Sequence, residues 1–290
     1  MEFIEPIPLD AAAPCRPPRP DGRRPIVVYD SGVGGLTVAS HISRLLPMHD
    51  LVYVADNGWF PYGEKSEALL ERRVLEVMES VTISVRPAAI MVACNTASTA
   101  IAGRLDMPSP FPLQGVFPPI REALALSRTG RIALLATPGT LKRASIRRAL
   151  AETTSCNCVA HGSLELVRAA ERKLAGEAVD PAQLVRHFDE TWIDADERRL
   201  IDVVILGCTH FPHLKEELRM ALPGVRHWVD PADTAARLLA QRIHCPATSR
   251  RMQMPPRHRL LLTSTHNSAE LAEVFAMAGF GGAGRKVEAA

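Results

Sequence analysis

The sequence predicts an α/β fold of two similar doubly wound parallel-sheet domains, with the functional site in the cleft between them. Three observations predict it. Short, almost wholly apolar runs alternate with longer segments of helical periodicity. Two strand ends more than a hundred residues apart share one template, in which an apolar strand is followed by a small residue, a cysteine and polar groups. A chain of 290 residues also has room for two domains of roughly 150 residues each.

Taken in order, the apolar runs are IVVY, LVYV, AIMVA, RIALLA, VVIL and RLLLT. Each is near-continuously apolar, the pattern of a strand buried on both faces. Between and after them, residues 36–46, 67–84, 141–150, 165–174, 214–222 and 232–242 carry apolar positions at helical spacing. Residues 181–200 are mostly polar and read as a solvated helix. Residues 1–24 hold Pro6, Pro8, Pro14, Pro17, Pro18 and Pro20 among several arginines, and read as a flexible, partly extended tail. The ending FGGAGRKVEAA is Gly-rich and reads as mobile. The expected domains are residues 25–117 plus 226–290, and an inserted second domain at 118–225.

Composition narrows the function classes. With 47% hydrophobic and 23% charged residues the chain is an ordinary globular protein, and no apolar run approaches the roughly 18 residues a membrane span needs. A net charge of +2 without a basic, aromatic-bearing stripe argues against nucleic acid as partner. Six cysteines scattered over a mid-sized chain suggest reduced thiols, hence a cytoplasmic location.

The shared template is AIMVACNTAS (residues 89–98) and DVVILGCTHF (202–211). In open α/β sheets ligands bind beyond the carboxyl ends of strands, so Cys94 and Cys208 stand at a site edge. A helix opening just after a thiol would lower its pKa toward neutrality, and Asn95, Thr96 and Thr209 suit such a start. A lone cysteine there is most often structural; two in matched context favour function. A nucleophilic hydrolase would need only Cys208 and His210, leaving Cys94 idle. A redox pair would favour Cys-x-x-Cys, which is absent. Proton transfer on opposite faces of one carbon uses both thiols and inverts a stereocentre.

Other motifs are weaker alone. VYDSGVGGLT (28–37) is a Gly-rich turn lacking both the dinucleotide spacing and the phosphate-loop lysine, and it carries Asp30. DNGWFPYGEKS (56–66) reads as a rigid loop, with Pro61, Tyr62 and Gly63 as one wall of a pocket. LATPGTLKR offers the hydroxyls of Thr137 and Thr140. Cys208, His210 and His213, and likewise Cys156, Cys158 and His161, lie close in sequence without a standard zinc spacing, so no metal is expected. Cys15 and Cys245 read as structural.

Together VYDSGVGGLT, FPYGEKSEA, VACNTAST, LLATPGTLKR, ELVRAAERKLAGE and VILGCTHFP resemble the glutamate racemase family of the aspartate/glutamate racemase superfamily, in the family's order over residues 25–243. The resemblance implies cofactor-independent interconversion of L- and D-glutamate, supplying D-glutamate for peptidoglycan. It implies that Cys94 takes the α-proton of D-glutamate with help from Asp30, and that Cys208 takes that of L-glutamate with help from His210 and Glu171. Ser31, Asp56, Pro61, Tyr62, Gly63, Asn95, Thr96, Thr137, Thr140 and Thr209 fall where the family holds substrate. The runner-up within the superfamily is an aspartate or broad-specificity racemase; from another class it is the Cys208/His210 hydrolase. The segment 57–59 resembles the Gram-negative type, some of which require UDP-N-acetylmuramoyl-alanine as activator. Trp59 and VFPPIREA (116–123) depart from the common pattern. Expected partners are glutamate, that activator and a second copy in a homodimer, with neither membrane nor nucleic acid.

Overall fold

Val, Ile, Leu and Ala dominate the strands because helices cover both faces of each sheet, leaving no face for polar alternation. The computed structural model describes residues 24–152, 157–188, 192, 201–243, 255–280 and 285–286. The chain begins with β1 (Ile26–Asp30), α1 (Leu36–Leu45), β2 (Leu51–Ala55), α2 (Glu67–Val85), β3 (Ala89–Val92), α3 (Asn95–Ala100), α4 (Ala102–Leu105) and β4 (Leu113–Gly115). It then builds α5 (Ile120–Leu126), β5 (Arg131–Ala136), α6 (Pro138–Leu141), α7 (Ala144–Ala151), β6 (Asn157–Gly162), α8 (Glu165–Leu174), α9 (Pro181–Val185), β7 (Val203–Gly207), α10 (Lys215–Ala221) and β8 (His227–Val229). It ends with α11 (Ala232–Arg242), β9 (Arg259–Leu262), α12 (Ser268–Met277) and β10 (Arg285–Lys286).

Two sheets result, ordered β10-β9-β2-β1-β3-β4 and β6-β5-β7-β8, with every recorded pairing parallel. The series β2-β1-β3-β4 and β6-β5-β7-β8 are the same arrangement twice. In it β3 and β7 are equivalent strands, and each ends one or two residues before a cysteine. The strand order reverses beside β1 and beside β5, and ligands of such sheets bind at those reversals, beyond the strand ends.

Apolar clusters lie on both faces of each sheet. One first-sheet face packs Val28, Tyr53 and Met91 against α1, α11 and α12, and the other packs Val27, Val52 and Ile90 against Leu70, Val74, Val77 and Val81 of α2. The second sheet sets Leu206 and Val204 against α8 and α10, and Ile132 and Ile205 against α5 and α7. No helix among the described residues is long and apolar enough to cross a membrane.

Some expectations need correction. The return to the first sheet does not fall at residue 225, because His227–Val229 forms β8 beside β7 in the second sheet. It is α11 that packs back against α1. The single helix expected over 141–150 is broken into α6 and α7 by extended backbone at Arg143 (φ −66°, ψ 135°). Within the Gly-rich ending, Arg285–Lys286 pair with Leu261–Leu262 as an edge strand. Strands β4, β6 and β8 and helices α4, α5 and α12 were not anticipated. Residues 1–23, most of 189–200, Cys15, Cys156 and Cys245 lie outside the described residues.

Candidate active site

Asp30 closes β1 with its side chain fully buried. Gly32 N–H donates to Oδ1 at 3.0 Å, and the Thr209 hydroxyl donates to Oδ2 at 3.1 Å from the other lobe. Burial is the main cause that lifts its pKa to about 6, opposed by the His210 charge and these hydrogen bonds. The Gly-rich turn presses on the same partner loop: a Cβ at Gly34 would lie 2.5 Å from Thr209 Oγ1 and 2.6 Å from His210 Nδ1. Only glycine lets the two backbones approach so closely.

Cys94 occupies the N-cap position of α3, with Asn95 and Thr96 opening the helix as expected. Its Sγ lies 3.8 Å from Ser31 Oγ. The expected lowering of its pKa does not occur. Burial first, and then the negative charge of Asp30, push the thiol up to about 12; hydrogen bonding to the Ala97 amide opposes this without overcoming it. A charge on Cys208 would raise it further.

Cys208 has different surroundings. A 3-10 turn, Phe211–Leu214, follows it rather than an α-helix, and α10 starts only after that. The group that addresses its sulfur is therefore His210, whose Nδ1 lies 3.8 Å from Sγ. The other ring nitrogen, Nε2, lies 2.5 Å from Glu171 Oε1 on α8. Burial alone would lower the His210 pKa, but hydrogen bonds to Cys208 and Glu171, and the charges of both, carry it well above the usual value. The imidazolium is thus the favoured form. His213, which sequence proximity grouped with these residues, instead directs Nε2 to the Gly34 carbonyl at 3.1 Å, and burial draws its pKa down to about 4. No group of three or more potential ligands poised for a metal ion occurs among the described residues.

Between the lobes the hydroxyls of Thr96, Thr137 and Thr140 form a closed triangle with each edge 3.0 Å. Thr96 comes from the first lobe, the other two from the turn after β5. Gly63 packs on this turn: its own Cβ would meet Thr137 at 2.8 Å, and one on Gly139 would meet the Gly63 carbonyl at 2.7 Å. Asn95 is buried, its Oδ1 without a hydrogen-bond partner among the described residues. The Phe60 ring lies 5.7 Å from that of His210.

Two expected substrate contacts are otherwise engaged. Asp56 is fully buried and receives Arg73 Nε at 2.9 Å, Arg73 Nη2 at 2.6 Å, the Tyr62 hydroxyl at 2.5 Å and the Thr263 hydroxyl at 2.5 Å. Its oxygens are saturated, so it anchors the loop before Pro61 rather than reaching a ligand. Tyr62 is spent on Asp56 and in a close contact with the Tyr29 hydroxyl. Sequence reasoning missed Arg73, although the buried stripe Leu70, Val74, Val77 and Val81 places it beside the same helix face. It missed Thr263 too, which no local pattern marks.

Fold and site define a bilobal α/β protein in which each lobe delivers one buried thiol to a common seam, each thiol with its own ionisable companion. The chain belongs to the Asp/Glu/Hydantoin racemase family, whose model matches residues 36–239. It is 42% identical over 233 residues to the glutamate racemase of Klebsiella pneumoniae, covering 80% of this chain and 81% of that one. It is 38% identical over 222 residues to the glutamate racemase of Brucella anthropi, covering 76% and 80%. Among solved structures it resembles the Escherichia coli glutamate racemase in complex with L-glutamate and the activator UDP-MurNAc-ala, with TM-score 0.78, 38% identity, and 89% and 96% of the two chains covered. The Aquifex pyrophilus glutamate racemase aligns with TM-score 0.69 at 29% identity, covering 90% and 98%.

Proposed function

We propose that this protein interconverts L- and D-glutamate by a two-base mechanism, with Cys94 and Cys208 on opposite faces of the α-carbon. The carrying observation is the repeated strand order that ends in a buried thiol twice, with companions of opposite character: Asp30 near Cys94, and His210 held by Glu171 near Cys208. In the resting state Cys94 keeps its proton, because burial and Asp30 disfavour the thiolate. At the other sulfur, His210 Nδ1 lies 3.8 Å from Cys208 Sγ, a proton carrier beside the second base. On this reading L-glutamate gives its α-proton to Cys208, and Cys94 supplies its own from the far side. After turnover Cys208 holds the proton and Cys94 is the thiolate, ready for D-glutamate. Asp30, with its pKa near 6, is suited to exchange a proton with Cys94 between the two forms.

The α-proton is weakly acidic, so the seam must exclude water and place donors where charge develops. Ser31, Asn95 and Thr209 are available for the α-carboxylate and ammonium, and the Thr96, Thr137 and Thr140 triangle for the side-chain carboxylate. On this reading the reaction needs no cofactor, and the D-glutamate feeds peptidoglycan synthesis in the cytoplasm. Activation by UDP-N-acetylmuramoyl-alanine is proposed as well. A cavity of about 520 Å³ where the chain crosses between lobes, bordered by Gln114, Arg121, Glu152 and Leu238, is large enough for part of such a ligand.

Circular dichroism of L-glutamate incubated with the protein, with and without that nucleotide, tests the proposal. The signal should decay to zero, and Cys94→Ala and Cys208→Ala should each stop the decay. Retained racemisation in either variant would refute the two-base assignment, and no decay under either condition would refute the substrate.

A further inference from the structure

Arg143 is the extended residue between α6 and α7, and its N–H donates to the Thr140 carbonyl at 3.1 Å. Its side chain is only 4% exposed, yet among the described residues it makes one side-chain polar contact, Nη1 to Glu67 Oε2 at 3.3 Å across the seam. Nε and Nη2 are buried without a hydrogen-bond partner among the described residues. Glu67 is itself 56% exposed, so water weakens its hold on the guanidinium. A buried cation with idle donors is unfavourable on its own, and such a group calls for a functional reason.

The threonine triangle supplies one. Thr137 and Thr140 belong to the turn that leads directly into Arg143, and the triangle is made of neutral hydroxyls. Neutral hydroxyls donate to a carboxamide oxygen much as they do to a carboxylate, and they do not offset the cost of removing a carboxylate from water. A positive charge in the same low-dielectric seam does. Other cations near the seam among the described residues are committed: Arg73 to Asp56, His210 between Cys208 and Glu171, and Arg168 to Glu64 and Glu165.

We propose that Arg143 is a specificity-determining residue whose charge makes the threonine triangle select amino acids with a side-chain carboxylate over neutral analogues; this rests on the glutamate reading above. The test is steady-state racemisation of both glutamate enantiomers by wild type, R143Q, R143K and E67Q, with inhibition constants for glutamine measured alongside. R143Q should raise KM for glutamate about tenfold or more while kcat stays within about threefold, and glutamine should bind it no worse than it binds wild type. R143K, which keeps the charge, should stay close to wild type. E67Q, which frees the charge, should leave KM unchanged or lower it. An unchanged KM in R143Q overturns the proposal. So do equal losses in R143Q and E67Q, which would make Arg143 half of a structural bridge between lobes. Should R143Q not fold, E67Q decides alone: a KM at or below wild type supports the proposal, and a raised one overturns it. A wild-type protein inactive on glutamate would instead overturn the functional reading itself.

Discussion

Adding one methyl group at Gly34 tests whether the Gly-rich turn of one lobe and the cysteine loop of the other work as one unit. The new Cβ would sit 2.5 Å from Thr209 Oγ1 and 2.6 Å from His210 Nδ1, against an ordinary contact of 3.4–4 Å, so the neighbours must move by about 1 Å. Neither has room, since Thr209 and His210 are both buried. His210 is also held at 2.5 Å by Glu171, and Thr209 at 3.1 Å by Asp30. The turn is pinned in its own right by His213 on the Gly34 carbonyl. Overpacking of this kind costs about 1–3 kcal/mol, which lowers Tm by roughly 2–10 °C. Displacing a catalytic imidazole by about 1 Å costs on the order of a hundredfold in rate. Gly34→Ala should therefore remain folded while kcat/KM for glutamate falls about a hundredfold. Gly103→Ala is the control. Beyond its chain neighbours and its own helix backbone, no atom of the described residues lies within 4 Å of its added Cβ, so stability should hold or rise slightly with unchanged activity. Polarimetry paired with thermal melts reads both quantities. If folded Gly34→Ala kept its activity within about threefold, the loop-to-loop contact would have no role in positioning His210.

Asp30→Asn should show a pH-dependent stability effect. Burial raises the folded-state pKa from 3.8 to about 6, so the ionised carboxylate opposes folding above pH 6 and that opposition fades as pH falls toward 3.8. The substitution should therefore favour folding by roughly 1–2 kcal/mol more at pH 8 than at pH 5 in urea titrations, and a flat difference would contradict the assigned burial effect. Arg73→Met strands the buried Asp56 carboxylate and should cost about 3–5 kcal/mol, with much of the loss recovered when Asp56→Leu is added. A double variant as unstable as the single one would show that the pair is not the source of the loss. In deuterated buffer, Cys208→Ala should exchange the α-proton of D-glutamate but not of L-glutamate, because only the Cys94 face keeps its base. Equal exchange of both enantiomers by NMR would contradict the facial assignment.

Much of the fold was legible because burial leaves a direct mark on sequence. Strands covered on both faces must be apolar throughout, and six of the ten among the described residues were evident for that reason. Helices α8 and α11 have the expected bounds because their apolar positions recur at helical spacing along the whole segment. The break at Arg143, the six-residue β6 and the short strands β4 and β8 were not legible. Leu113–Gly115 and His227–Val229 span three residues each, too few for a period, and their pairing with β3 and β7 is decided by non-local hydrogen bonds.

The site divides along the same line. Which residue types stand at strand ends is a property of the chain itself, and the paired cysteines, Asp30, His210 and the threonines could be read there. Ionisation could not, because it follows from solvent exclusion and from charges contributed by remote segments. The sequence suggested a helix dipole that would ease Cys94 toward thiolate, whereas burial and Asp30 drive it the other way. Asp56 looked available until Arg73, Tyr62 and Thr263 converged on it from three other places in the chain. Primary structure determined the chemical groups and the strands that carry them; only three-dimensional packing decided which groups are protonated, which are already bonded and which stay free. Dielectric environment and hydrogen-bond saturation depend on neighbours that adjacency along the backbone does not specify.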